Sequence, residues 1–398
     1  MFSQDHAVSM VTAVLPSAGV DRITDAVLQA PDSSAIIWQA RGTLLREHWW
    51  QRFVPPISPA KTMVHLLAPN DEVPHLVSTI VERARLHQQA TGAVFSTPCD
   101  HAYFGSDFNV WPSRDDTPAA KSGHKLTENL NIIYCTVGHK LSDRVSKAAI
   151  SAGAHGPIVY YGEGRGLRDR LGWLRITKEH EQEVLMVIAD ESDADQVFDA
   201  MAKAGELHLP GRGFMYRMVI DRGMFHLASR VSHHHYQANM QQIINAIDHL
   251  TGHSHWRDQA VFDVGSGGRG VGIDDLAAER PLLRDQVRLS AIAPREQCPE
   301  LMEFLLDSGA PGFTVTYGRF AASEQSEGIA GARVNEEYGM LRCVTNQPKA
   351  AQVCSAVESS AESEGFADVA MVTNPVPTVA CYVPGGVDHR KPAPRVAA

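Results

Sequence analysis

Seven of the chain's 19 histidines crowd into one short stretch: His226, His233, His234, His235, His249, His253 and His255. Neutral imidazole nitrogen ligates zinc, nickel, copper or iron, so this crowding is the first candidate for chemistry. His249 and His253 share a helical face if a helix runs through Gly252. Gly252 also has the character of a helix C-cap, which puts His253 and His255 on the following loop. His233, His234 and His235 are adjacent and cannot all face one ion, although one or two can. The candidate ligands of a divalent transition metal are therefore His233, His235, His249, His253 and His255. The competing reading is a polar, histidine-rich surface or imidazoles hydrogen-bonded inside that stretch.

Two further sets of residues have catalytic types. Cys99 and His101 lie two apart on an extended strand, which points both side chains the same way and makes a thiolate–imidazole pair or ordinary packing. Glu181, with Glu179 and Glu183 around His180, offers acid–base carboxylates or a solvated charged edge. The glycine strings Gly162-Glu163-Gly164-Arg165-Gly166 and Gly211-Arg212-Gly213 let backbone N–H groups approach an anion. Arg165, Arg168, Arg170 and Arg212 add bidentate oxygen contacts in that reading. In the other, the glycines turn corners and the arginines pair with Asp169 and Glu163 in solvent. Residues 265–272 are also glycine-rich but lack the GK[ST] ending of a P-loop, and read as a connection.

The elements that must position these groups follow from composition and periodicity. The chain has 398 residues, 44% hydrophobic and 21% charged, which excludes a disordered or collagen-like protein and allows two to four domains. A net charge of -10 has the wrong sign for phosphate-backbone binding, so no nucleic acid partner is expected. No apolar run reaches the roughly 18–20 residues of a membrane span, and the first residues lack the pattern of a secretory signal; a cytoplasmic, soluble protein is expected. The six cysteines are scattered without a CxxC pair and read as reduced thiols.

The order strand, helix, strand, long loop, strand, helix, strand occurs three times. In the middle copy it runs through the apolar stretch 132–137, a helix over 141–152, strands at 158–161 and 184–188, a helix carrying Val197, Phe198 and Met201, and a strand at 214–220. The expected organisation is repeat one at 8–104, a linker at 105–128, repeat two at 129–222, a histidine-rich insert at 223–285, repeat three at 286–384 and a mobile tail at 385–398. The fold class is α+β. Each βαββαβ unit covers one face of a four-stranded antiparallel sheet with two helices and leaves the other bare. Three units in one chain can hide those bare faces against one another about a pseudo-threefold axis.

The middle copy resembles the PII signalling proteins through Gly162-Glu163-Gly164-Arg165-Gly166 at the start of the long loop and residues 205–214 before the last strand. The resemblance implies ferredoxin-like units arranged as a fused, asymmetric trimer, with an adenine nucleotide cradled by Gly162, Gly164, Arg165, Gly211, Arg212 and Gly213 in a cleft between units. The outer copies share order and spacing but not the double-glycine turn, so at most one or two clefts keep the phosphate-binding parts. The related CutA copper-tolerance fold has the same architecture without the nucleotide site. The resemblance thus implies a regulatory module that binds a small-molecule ligand and docks a protein partner through its long loops. The alternative is an enzyme using one specialised cleft, such as a metal-assisted hydrolase with histidine ligands.

Overall fold

Short, nearly continuous buried runs build most of the described chain into strands, because each strand presents one face to its helices and the other to a shared interior. The computed structural model describes residues 7–17, 34–42, 60–86, 92–106, 108, 126–138, 141–166, 181–226, 282–322 and 336–382. The glycine-rich stretch at 265–272 and the tail lie outside these residues.

The first segment contains β1 (Val8–Pro16), β2 (Ser34–Gly42), β3 (Ala60–Pro69), α1 (Val73–Arg83), β4 (Gly92–Pro98) and β5 (His101–Phe104). The second contains β6 (Leu130–Gly138), α2 (Ser142–Ser151), β7 (His155–Gly166), β8 (Glu181–Asp190), α3 (Glu191–Gly205), β9 (Gly213–Ile220) and β10 (Arg222–His226). The third contains β11 (Leu282–Pro294), α4 (Cys298–Asp307), β12 (Gly312–Ala322), β13 (Glu337–Asn346), α5 (Gln347–Ser360) and β14 (Ala370–Cys381). The protein is thus mixed α+β, with five helices among the described residues and one large antiparallel sheet of 14 strands.

Within that sheet the local orders are β4-β1-β3-β2, β9-β6-β8-β7 and β14-β11-β13-β12. The three segments are stitched together twice. At one end β2 pairs β12, β12 pairs β7, and β2 pairs β7. At the other, β5 pairs β14, β10 pairs β4, and the end of β14 pairs β9. Each segment therefore donates its last strand or strand end to another segment, and the exchange closes in a ring.

The short strand β10 runs past the expected end of repeat two at 222, and β11 starts before the expected beginning of repeat three at 286. Residues 223–226 read as the opening of the histidine-rich insert, but the backbone of Arg222–His226 finds a ladder on the free edge of β4.

Packing follows from these two faces. One hydrophobic cluster takes side chains from all three segments, among them Met10, Trp38, Tyr134, Tyr160, Phe320 and Met340. Three further clusters lie between the opposite sheet faces and the helices, one per segment. Helix α3 shows the logic: Ala194, Val197, Phe198, Met201 and Ala202 form one buried stripe, and burial of each large side chain contributes about 1.5–3 kcal/mol. The helix stops where Glu206 takes a left-handed conformation at φ 52°.

Candidate ligand-binding site

The first glycine string is the end of a strand. Gly162, Gly164 and Arg165 belong to β7, which pairs β8 on one edge and, from Glu163 to Gly166, β12 on the other. Gly164 faces the Gln182 side-chain amide so closely that a Cβ would overlap it. Gln182 Oε1 in turn accepts a hydrogen bond from Thr314 Oγ1 at 3.2 Å. Arg165 Nη2 reaches Glu163 Oε2 at 3.2 Å, and both side chains are partly exposed. The same seam gathers Tyr317, with the Arg295 guanidinium 4.6 Å over its ring, and Arg295 is also paired with Glu337. Burial raises the Tyr317 pKa, helped by the nearby Cys298 and Glu163, so the phenol stays protonated.

The second glycine string is the turn into β9. Gly213 sits at φ 121°, and a Cβ there would run into the Thr136 carbonyl, so the close approach of this turn to β6 requires glycine. Arg212 Nη2 and Arg144 Nη2 each lie 3.1 Å from an oxygen of Glu206. Two guanidiniums thus share one carboxylate. In register, Gly213 faces Val137, Val137 faces Glu183, and Glu183 faces Tyr161, the neighbour of Gly162. Both strings therefore lie at the same end of the sheet, three strand spacings or about 14 Å apart. A single phosphate cannot touch both, but an extended ligand can.

Glu181, at the start of β8, is exposed and lies opposite Glu163. Its neighbour Glu183 is buried, against the sequence expectation of a solvated charged edge. Arg41 Nη2 meets Glu183 Oε1 at 3.2 Å, Arg41 Nη1 meets Asp143 Oδ1 at 3.2 Å, and Ser142 Oγ donates to Glu183 Oε2 at 2.7 Å. Burial alone lowers the Arg41 pKa, but the Asp143 and Glu183 carboxylates outweigh it and hold it above its ordinary value. This cluster joins the first segment to the second.

Cys99 and His101 are given separate partners. The Cys99 thiol accepts a hydrogen bond from Asn374 Nδ2 at 3.4 Å, and burial pushes its pKa up to about 11. His101 Nε2 lies 3.1 Å from Glu358 Oε1 of α5, without hydrogen-bond alignment. Asp100 turns the chain between them by donating its backbone N–H to Thr373. The side chains do not form the pair that one continuous strand predicts.

His233, His235, His249, His253 and His255, together with Glu179, Arg168 and Arg170, lie outside the described residues. Among the described residues no group of three His, Cys, Asp or Glu side chains could hold a metal ion. No described helix is long and apolar enough to cross a membrane.

The interior holds a polar centre that sequence reasoning missed. Arg288 is 1% exposed and Arg342 6%, and among the described residues neither has a carboxylate partner. Arg288 Nη2 donates to Asn374 Oδ1 at 2.6 Å, and Arg342 Nη1 donates to the Tyr160 hydroxyl at 2.9 Å. The two guanidinium carbons lie 5.6 and 5.9 Å from the Tyr134 ring centroid, and Arg342 stands 5.0 Å from Trp38. His65 lies against the other face of this group, with Nδ1 2.9 Å from Thr12 Oγ1 and its ring 4.2 Å from Trp38. Burial, reinforced by Arg342 and Arg288, pushes the His65 pKa well below its ordinary value.

No protein-family model matches the chain, and no curated protein matches it. Solved structures show only remote similarity. An aspartate kinase from Synechocystis aligns with 93% of this chain and 44% of its own length, at 9% identity and a TM-score of 0.19. This chain thus spans less than half of that kinase. A protein of unknown function from Galdieria sulphuraria aligns with 63% of this chain and 99% of its own, at 12% identity and a TM-score of 0.19. A mutant chlorite dismutase from Candidatus Nitrospira defluvii aligns with 63% of this chain and 92% of its own, at 11% identity and a TM-score of 0.13. Scores at this level carry no argument about fold or activity.

Proposed function

We propose that the chain is a fused PII-like binding module. Three ferredoxin-like units stand about a pseudo-threefold axis, and a small anionic ligand of the adenine-nucleotide class occupies the seam side of the second unit. The observation that carries this reading is the closed ring of strand exchange. Each segment has the same local strand order, each gives a terminal strand to another, and all three bury one sheet face in a common cluster. Such closure makes seams between non-identical neighbours, which gives one chain three unlike clefts.

At the seam side of the second unit, Gly162, Gly164 and Arg165 lie at one edge, with Gly211, Arg212 and Gly213 about 14 Å away at the same end of the sheet. The Arg144–Glu206–Arg212 group leaves one guanidinium charge uncompensated at that turn, suited to a phosphate. Docking of a protein partner through residues that follow Gly166 belongs to the same proposal.

Isothermal titration with ATP, ADP and AMP tests it. Saturable binding of at least one nucleotide is expected, weakened at least tenfold in Arg212→Ala. Absence of heat with all three, for a folded protein, would refute the nucleotide assignment.

A further inference from the structure

We propose that a small monovalent inorganic anion, chloride under ordinary conditions, is a resident ligand of the interior and sits against Arg342. The case starts from charge. Moving one guanidinium out of water is costly even after relaxation, and Arg288 and Arg342 both make that move. Their polar neighbours do not neutralise them. Asn374 and Met10 are uncharged, and burial raises the pKa of Tyr160 and of Tyr216, so both remain phenols. A folded core holding two uncompensated cations therefore calls for an anion from outside the described residues.

Hydrogen bonding says where it sits. Arg342 spends Nη1 on Tyr160, while its Nε and Nη2 are buried without any partner. Those two nitrogens form the side-on edge of the guanidinium, a fork of parallel N–H groups suited to an anion. Arg342 lines a small cavity with Thr136, Tyr160, Thr314 and Tyr216, between the inner face of the second segment and strands β12 and β13 of the third. Its room is about 10 Å³, close to that of one water molecule. A chloride ion is larger than a water molecule and enters only if the lining side chains shift outward, whereas a phosphate group is far too large. The Tyr160 hydroxyl accepts from Arg342 and so keeps its own proton to donate. A lone water could satisfy the two N–H groups but would leave the charge in place. This site is independent of the proposed nucleotide seam and survives if that seam proves empty.

The test uses the full-length protein exchanged into sodium gluconate, with chloride or bromide then titrated in at constant ionic strength. The melting temperature is expected to rise saturably with either halide. Crystals grown in bromide are expected to show an anomalous peak within hydrogen-bonding distance of Arg342 Nε and Nη2. Arg342→Gln is expected to abolish the halide-dependent rise. Tyr160→Phe, which removes one donor but no charge, is expected to weaken halide binding several-fold. If Arg342→Gln fails to fold, the bromide peak in the unmodified protein decides alone. Equal melting in gluconate and halide, a halide effect that survives in a folded Arg342→Gln, or a bromide-free cavity would each overturn the proposal.

Discussion

The Arg342 guanidinium donates to the Tyr160 hydroxyl at 2.9 Å across 182 residues of chain, joining the third segment to the second inside the body. The inner faces of the three segments carry different chemistry where they meet. The first brings Thr12, Trp38 and His65; the second brings Tyr134, Tyr160 and Tyr216; the third brings Arg288, Arg342 and Asn374. Burying a guanidinium is costly, and here two of them meet phenols and an imidazole supplied by the other two segments.

Acid should destabilise the protein through His65. Its folded pKa is depressed, so the unfolded state binds the extra proton first. The stability this residue contributes is fully present above its unfolded value near pH 6.5, and falls as pH drops toward the folded value. The groups facing it are Thr12, Trp38, Arg342 and Arg288, and none takes up a proton in that range. Urea unfolding at pH 7.5 and 5.5 should show a loss in the wild type that exceeds the loss in His65→Gln by about 1 kcal/mol, since each pH unit of suppressed protonation is worth about 1.4 kcal/mol. Equal losses in the two proteins would contradict a buried neutral imidazole.

Two carboxylates on Arg41 should have unequal weight. Glu183 is 4% exposed and also accepts from Ser142, whereas Asp143 is 78% exposed. Glu183→Ala should cost about 2–3 kcal/mol, because a buried donor pair loses its charged acceptor. Asp143→Ala should cost less than about 1 kcal/mol, as exposed ion pairs do. Chemical denaturation of both variants gives the comparison, and the reverse order would remove Glu183 from the junction between the first two segments.

Much of the fold was legible because apolar runs and helical stripes are local signals. The stripe Val197, Phe198 and Met201 predicts α3, and it is buried as a stripe. The interior chemistry was not legible, for a physical reason. In β11, Arg288 and Ser290 alternate with Leu289 and Ala291, and such a strand reads as one with a wet face. Here that polar face turns to the shared centre, and both arginine and serine are buried. Glu183 in β8 misleads in the same way. The available signal was the demand that three bare sheet faces be covered: polar residues on those faces then have to meet one another. The glycines of β7 were misjudged differently. Gly162 and Gly164 suggest a loop, but the close approach of β12 and Gln182 makes them the residues a doubly paired strand end requires.

Hydrogen exchange measured with and without saturating nucleotide locates the ligand most directly. Binding in the proposed seam slows exchange of the amides at 162–166 and 211–214 together, and leaves those of β3, Ala60–Pro69, unchanged. Protection confined elsewhere, or none in either glycine string while nucleotide is bound, would contradict a PII-like site on the second unit.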